Sequence, residues 1–102
     1  MMGLLKNLFG SKTDFRAMMK NGAVIIDVRT PQEYKGGHIK GSLNIPLDKI
    51  ESQAESIKKK GKPVITVCRS GGRSGMAADI LRRKGVEVVN GGPWNSLQRN
   101  IQ

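Results

Sequence analysis

Two short apolar runs constrain this chain more than any other feature: Ala23-Val24-Ile25-Ile26-Asp27-Val28 and Pro63-Val64-Ile65-Thr66-Val67. Both are rich in β-branched residues and neither alternates with polar ones. A strand with one wet face alternates, whereas an unbroken run suits a strand covered on both faces, as in a parallel sheet. Parallel neighbours need crossover connections, and helical patterns surround both runs. Thr13 and Asp14 are capping types ahead of Phe15, Met18 and Met19, and Asn21-Gly22 ends that piece. Thr30-Pro31-Gln32-Glu33 offers a cap, a proline at the first helical position and a glutamate at the capping-box position. Leu47, Ile50, Ala54 and Ile57 recur at helical spacing until Gly61. Another helix is expected from near Ser74, with Ala77, Ile80 and Leu81 inward, Arg82, Arg83 and Lys84 in its last turn, and Gly85 behind it. Ser42 to Pro46 predicts a short extended piece, and Val86 to Val89 a last short strand. A final turn of helix is expected after Asn90-Gly91-Gly92-Pro93-Trp94. Strands alternating with helices predict an α/β domain with a mostly parallel sheet.

The 102 residues suffice for one domain, without internal repeats. Residues 1–12 read as a lead-in, in which Leu4, Leu5, Leu8 and Phe9 fall at helical spacing; residues 13–102 read as the domain. A single cysteine, Cys68, and a single histidine, His38, exclude an internal disulfide, a multi-cysteine metal site and a histidine metal cluster. No apolar run approaches the roughly 20 residues of a membrane span, and MMGLLKNLFG is too short and weakly apolar for a secretory signal. A cytoplasmic setting and a monomer without membrane attachment are therefore expected. The net charge of +10 favours anionic partners. Lys58-Lys59-Lys60 with Lys62, and Arg82-Arg83-Lys84, read as solvated helix ends. With four aromatic residues and no known binding module, a nucleic-acid partner is not expected.

The segment that bears chemistry is Cys68-Arg69-Ser70-Gly71-Gly72-Arg73-Ser74. It lies where a buried strand ends and a helix begins, the usual ligand position in open α/β sheets. Two central glycines let successive N–H groups turn inward as an anion-binding nest. The helix start adds free N–H groups and its positive dipole end, and Arg69 and Arg73 add permanent charge. A cysteine so placed ionises below the free-thiol range, to roughly 3.5–7.5 where cations and a helix N-terminus combine. The result is an activated sulfur nucleophile facing an anion cradle.

These residues, with others in order along the chain, resemble the single-domain rhodaneses, the rhodanese-like sulfurtransferases. The marks are Asp27-Val28-Arg29-Thr30-Pro31 with Glu33 and Tyr34, then Gly37-His38-Ile39 with Gly41-Ser42 and Asn44-Ile45-Pro46. The CRSGGRS loop and Asn90-Gly91-Gly92 with Trp94 follow, so the resemblance runs over about residues 13–100. It implies a central parallel sheet of four or five strands with helices on both faces. It also implies that Cys68 takes a sulfane sulfur from a donor such as thiosulfate, carries it as a persulfide, and passes it to cyanide or a thiol. Four residues, 69–72, separate Cys68 from Arg73. That is the spacing of sulfur-transferring members; the related cell-cycle dual-specificity phosphatases have one more. A tighter ring of N–H groups suits a single sulfur, a wider one phosphate, which disfavours a phosphatase or arsenate reductase on the same fold. The chemistry needs no metal or organic cofactor. With no second cysteine, the persulfide must be released to an external acceptor, either a small molecule or a protein partner to which the domain relays sulfur.

Asp27 ends the first strand and is expected near the loop, pairing with a loop arginine or accepting loop N–H groups. Its role reads as structural, because a further negative charge would oppose thiolate formation. Arg29 is expected to fix the strand-to-helix turn. His38 reads as a turn residue satisfying backbone groups, not as a base. Trp94 either lines the mouth of the site or anchors the C-terminal segment.

Overall fold

A computed structural model describes residues 13–102. The helical spacing of Leu4, Leu5, Leu8 and Phe9 lies outside the described residues. The elements in chain order are α1 (Phe15–Lys20), β1 (Val24–Asp27), α2 (Pro31–Lys35), β2 (Leu43–Asn44) and α3 (Leu47–Lys59), then β3 (Val64–Cys68), α4 (Gly72–Arg83), β4 (Val88–Pro93) and α5 (Trp94–Ile101). The four strands form one sheet, in the order β2-β1-β3-β4 with every pair parallel.

Unbroken apolar runs became strands covered on both faces, and every residue of β3 is buried. On one face Ile26, Val28, Val64 and Cys68 pack with Ile50, Ala54 and Ile57 of α3 and Ala77, Ala78 and Leu81 of α4. On the other, Ile25, Ile65 and Val67 pack with Phe15, Met18 and Met19 of α1 and with Trp94, Leu97 and Ile101 of α5. Neighbouring residues of β3 therefore serve different layers, which is why a polar residue at alternate positions would have nowhere to go. The one polar side chain inside β3, Thr66, donates to the Ser74 carbonyl at 2.9 Å.

Capping chemistry sets the helix ends much as the residue types indicate. Asp14 accepts from the Ala17 N–H, and Thr30 with Glu33 forms a reciprocal capping box. At the end of α4, Gly85 takes φ +91° while the N–H groups of Gly85 and Val86 donate to the Arg82 and Leu81 carbonyls. This is a Schellman closure, which uses Val86 as the hydrophobic residue behind the helix. The last strand consequently begins two residues later than the sequence suggests, at Val88.

That strand also continues through Asn90-Gly91-Gly92 to Pro93, beyond the Val89 at which the sequence ends it. Gly91 makes the continuation possible. A Cβ at Gly91 would lie 2.7 Å from Ile65 Cγ2 and 3.0 Å from the Thr66 carbonyl oxygen. Without a side chain there, β4 presses against β3 through a register shift, and Gly92 and Pro93 pair with Val67 and Cys68.

Candidate active site

Chain order places β1 and β3 side by side while their connections leave in opposite directions, to β2 on one side and β4 on the other. The crevice beyond the carboxyl ends of two such strands is where open α/β sheets bind ligands. Cys68 ends β3 and Asp27 ends β1, so both reach this crevice.

Past Cys68, the chain rounds a loop whose hinge is Gly71, at φ +104°. α4 starts at Gly72, two residues before the Ser74 expected from the sequence, because Gly71 takes the N-cap position without a side-chain cap. The glycine's left-handed backbone, open to few other residues, turns its N–H onto the sulfur. Gly71 N–H donates to Cys68 Sγ at 3.0 Å and Ser74 N–H at 3.3 Å, while the Ser74 hydroxyl lies 3.3 Å away. Cys68 is 1% exposed. Burial pushes its thiol up, but the Ser74 hydroxyl and the N–H groups of Ser74, Gly71 and Ser70 outweigh burial and hold it below the ordinary thiol value. Of the two glycines only Gly71 turns its N–H onto the sulfur, and the second backbone donor there is Ser74.

The two arginines differ. Arg69 and Ser70 are exposed, and Arg69 makes no hydrogen bond or ion pair among the described residues. Arg73 is half-buried and bidentate to Glu33, with Nη1 to Oε1 at 2.8 Å and Nη2 to Oε2 at 3.0 Å. The Arg73 guanidinium, followed by the Thr30 N–H, lowers the Glu33 carboxyl to about 2. Glu33 in turn raises Arg73. From the sequence, Glu33 reads as a capping residue and a mark of the resemblance; its second hydrogen-bonding duty joins α2 to Arg73 of α4.

The expected partnership of Asp27 with the cradle is not found. Its carboxylate is fully buried and both oxygens are taken by Arg29: Oδ2 accepts from Nη2 at 2.7 Å, and Oδ1 accepts from Nε at 2.9 Å and from the Arg29 N–H at 3.1 Å. The reason is proximity, since the turn after β1 folds the Arg29 side chain back over a carboxylate two residues away. Arg29 also donates to the Gly37 and Glu33 carbonyls and lies 4.8 Å from the Trp94 ring centroid, fixing the strand-to-helix turn as expected. Trp94 packs in the α1/α5 layer and so anchors the C-terminal segment. His38 stacks on Tyr34 and its Nδ1 bonds the Tyr34 carbonyl, satisfying a backbone group.

From the sequence, Asn90 reads only as part of the Asn90-Gly91-Gly92 mark, with no role of its own. Its Oδ1 accepts from the Ser74 hydroxyl at 2.7 Å and the Gly92 N–H at 2.9 Å, and its Nδ2 donates to the Gly71 carbonyl at 3.1 Å. One amide thus ties β4 to both ends of the cradle. The Asn-Gly-Gly run was the available signal: Gly91 lets β4 approach β3, and that approach carries the Asn90 amide to the loop.

The model of the rhodanese-like domain family matches residues 11–93. The chain belongs to this family. Among curated relatives, this rhodanese-like domain is 42% identical over 81 residues to the uncharacterized protein YqhL of Bacillus subtilis strain 168, covering 78% of this chain and 63% of YqhL. It is 38% identical over 69 residues to the thiosulfate sulfurtransferase PspE of Escherichia coli K12, covering 66% of each. The chain thus spans less than two thirds of the length of either relative. Among solved structures, a rhodanese with anions from E. coli superposes with a TM-score of 0.66 at 34% identity, over 72% of this chain and 89% of that one. The expected fold is found, with four strands in the sheet and helices on both faces. No helix among the described residues is long and apolar enough to cross a membrane.

Proposed function

We propose that this rhodanese-like domain is a sulfurtransferase in which Cys68 is nucleophile and sulfur carrier. The observation that carries the reading is the convergence of the Gly71 and Ser74 N–H groups on the sulfur at the carboxyl end of β3. The Cys68 thiolate attacks the outer sulfur of a thiosulfate-type donor. A new S–S bond forms, the donor's S–S bond breaks, and sulfite leaves with the electron pair. Arg69, exposed at the rim, is the guanidinium available to the anionic donor and to departing sulfite; Arg73 completes the cradle's charge while held by Glu33. A thiol or cyanide then attacks the outer sulfur of the persulfide and returns Cys68 as thiolate, without metal or organic cofactor. Names of relatives such as PspE support the class of reaction, and the loop of four residues between Cys68 and Arg73 supports sulfur over phosphate.

The test is intact-mass analysis after thiosulfate treatment. One added sulfur atom is expected, lost on addition of cyanide and absent in Cys68→Ala, whose circular dichroism should match wild type. Undiminished thiosulfate:cyanide turnover in Cys68→Ala would overturn the reading.

A further inference from the structure

Ser74 has one hydroxyl hydrogen and two neighbours competing for it. Asn90 Oδ1 lies 2.7 Å from Ser74 Oγ, and Cys68 Sγ lies 3.3 Å from it. The orientation of the Asn90 amide is fixed by the backbone, since an N–H can only donate and a carbonyl only accept. Gly92 N–H donates to Oδ1 and Nδ2 donates to the Gly71 carbonyl; turning the amide over would set donor against donor and acceptor against acceptor. The oxygen facing Ser74 is therefore an acceptor, and the hydroxyl hydrogen lies on it. Ser74 Oγ then presents lone pairs to the sulfur. That arrangement suits a protonated thiol, whose S–H can donate to Oγ, and opposes a thiolate.

We propose that Asn90 is a positioning residue that competes with Cys68 for the Ser74 hydroxyl hydrogen, so that the hydroxyl turns to the sulfur only when the sulfur is a thiolate. In the persulfide the charge moves to the outer sulfur, the inner sulfur no longer needs a donor, and the hydrogen returns to Asn90. The fold makes room for this amide. A Cβ at Gly75 would lie 3.2 Å from Asn90 Nδ2, so α4 presents bare backbone beneath it. Ser74 itself is fully buried, with its carbonyl held by Thr66, so its hydroxyl can rotate but the residue cannot withdraw.

By withholding a donor, Asn90 keeps the Cys68 thiolate more basic and hence more nucleophilic than the cradle alone would leave it. The charged groups around the sulfur are Arg73 of α4 with Glu33 of α2, Asp27 of β1 with Arg29 behind it, and Arg69 of the loop. β4 brings no charge, so changing Asn90 to alanine leaves the local charge unaltered.

The inference rests on Cys68 being the reacting sulfur, but its test reads thiol ionisation, which needs no sulfur donor. Iodoacetamide alkylation of the full chain is followed against pH. Ser74→Ala should raise the Cys68 midpoint. Asn90→Ala should lower it by about one pH unit, a tenfold larger thiolate-to-thiol ratio at a given pH. The plateau rate at high pH should fall about threefold, as thiolate nucleophilicity follows basicity. In a Ser74→Ala background, Asn90→Ala should leave the midpoint unmoved. Gly75→Ala, which crowds the amide from a helical position that favours alanine, should shift the midpoint down in the same direction if Asn90→Ala fails to fold. A midpoint that rises or stays put in both Asn90→Ala and Gly75→Ala, or one that shifts equally without the Ser74 hydroxyl, would reduce Asn90 to a scaffold and overturn the proposal.

Discussion

Replacing Gly71 by alanine tests whether the cradle's shape depends on one left-handed residue. Gly71 sits at φ +104°, and a Cβ there would meet only Gly92 Cα, at the ordinary contact distance of 3.5 Å. The cost is therefore conformational and not steric, about 1–2 kcal/mol for an L-residue forced into this region. Three hydrogen bonds oppose relaxation of the loop: Gly71 N–H to Cys68 Sγ, Asn90 Nδ2 to the Gly71 carbonyl, and Gly75 N–H to the same carbonyl. The loop should keep its conformation and the whole cost should appear as lost stability. For a domain of this size each kcal/mol moves the melting temperature by about 4–8 °C, so Gly71→Ala should melt about 4–16 °C below wild type. Gly72→Ala is the matched control. Gly72 is the first residue of α4, has no positive φ, and an added Cβ meets nothing within 4 Å. It should melt within about 0.5 kcal/mol of wild type. Thermal melting by circular dichroism reads both. If Gly71→Ala melts together with Gly72→Ala, the positive φ is not what shapes the loop.

The Glu33–Arg73 pair gives a pH-dependent contribution of known sign. Glu33 titrates at about 2 against an ordinary 4.5, so its contribution is fully present above about 4.5 and is lost as pH falls toward 2. Glu33→Gln should lower the melting temperature at neutral pH by the equivalent of about 0.2–1 kcal/mol, and the gap to wild type should close between those two values; a gap unchanged by acid would refute the pairing. Arg73→Ala should slow persulfide formation from thiosulfate more than Lys59→Ala, since only Arg73 borders the sulfur, and added salt should slow the wild type by screening its +10 charge. Equal losses in the two variants would place donor recognition on the basic helix ends. A glycine inserted between Gly71 and Gly72 should widen the ring of N–H groups and lower the persulfide-forming rate while leaving the thiol titratable; an insertion variant as fast as wild type would show that ring size does not set specificity.

Most of the fold was legible because burial on both faces writes itself plainly into sequence. Val64 to Val67 read as a covered strand, and the sulfur at its end as a candidate site, from residue types alone. The CRSGGRS loop was legible for the same reason that it works, since adjacent glycines at a strand–helix junction have few uses besides turning N–H groups inward. What stayed hidden depends on contacts between distant segments. Asp27 gave no sign of which arginine it would meet, since Arg29, Arg69 and Arg73 are equally suitable in charge, and only the tight turn after β1 selects Arg29. Glu33 had a complete local explanation as a capping residue, which masked its reach across 40 positions to Arg73. Asn90 had a place in the resemblance but no role, because that the last strand runs on through it follows from the fit of Gly91 against Ile65, a packing fact with no local signature.

Charge pairing leaves two of the arginines near Cys68 with little net field at the sulfur. Two of its three nearby arginines are matched one-to-one with carboxylates, Arg29 with Asp27 and Arg73 with Glu33. Their net electrostatic support for a negative sulfur is correspondingly small at the distances involved, because each cation is accompanied by its counter-charge. Stabilisation of the thiolate therefore falls on hydrogen bonds that touch it, from Gly71 and Ser74, as the causes of its lowered pKa also indicate. Such donors act over contact distance and do not attract the donor molecule from solution. On the proposed sulfurtransferase reading, that second task falls to Arg69 at the rim and to the positive surface at large. On that reading the site separates capture from activation. Salt should slow the encounter with thiosulfate while leaving the Cys68 midpoint almost unmoved, whereas changes at Gly71, Ser74 or Asn90 should move the midpoint at any salt concentration. A midpoint that climbs toward the free-thiol value with added salt would mean that long-range charge, and not the N–H cradle, activates the sulfur.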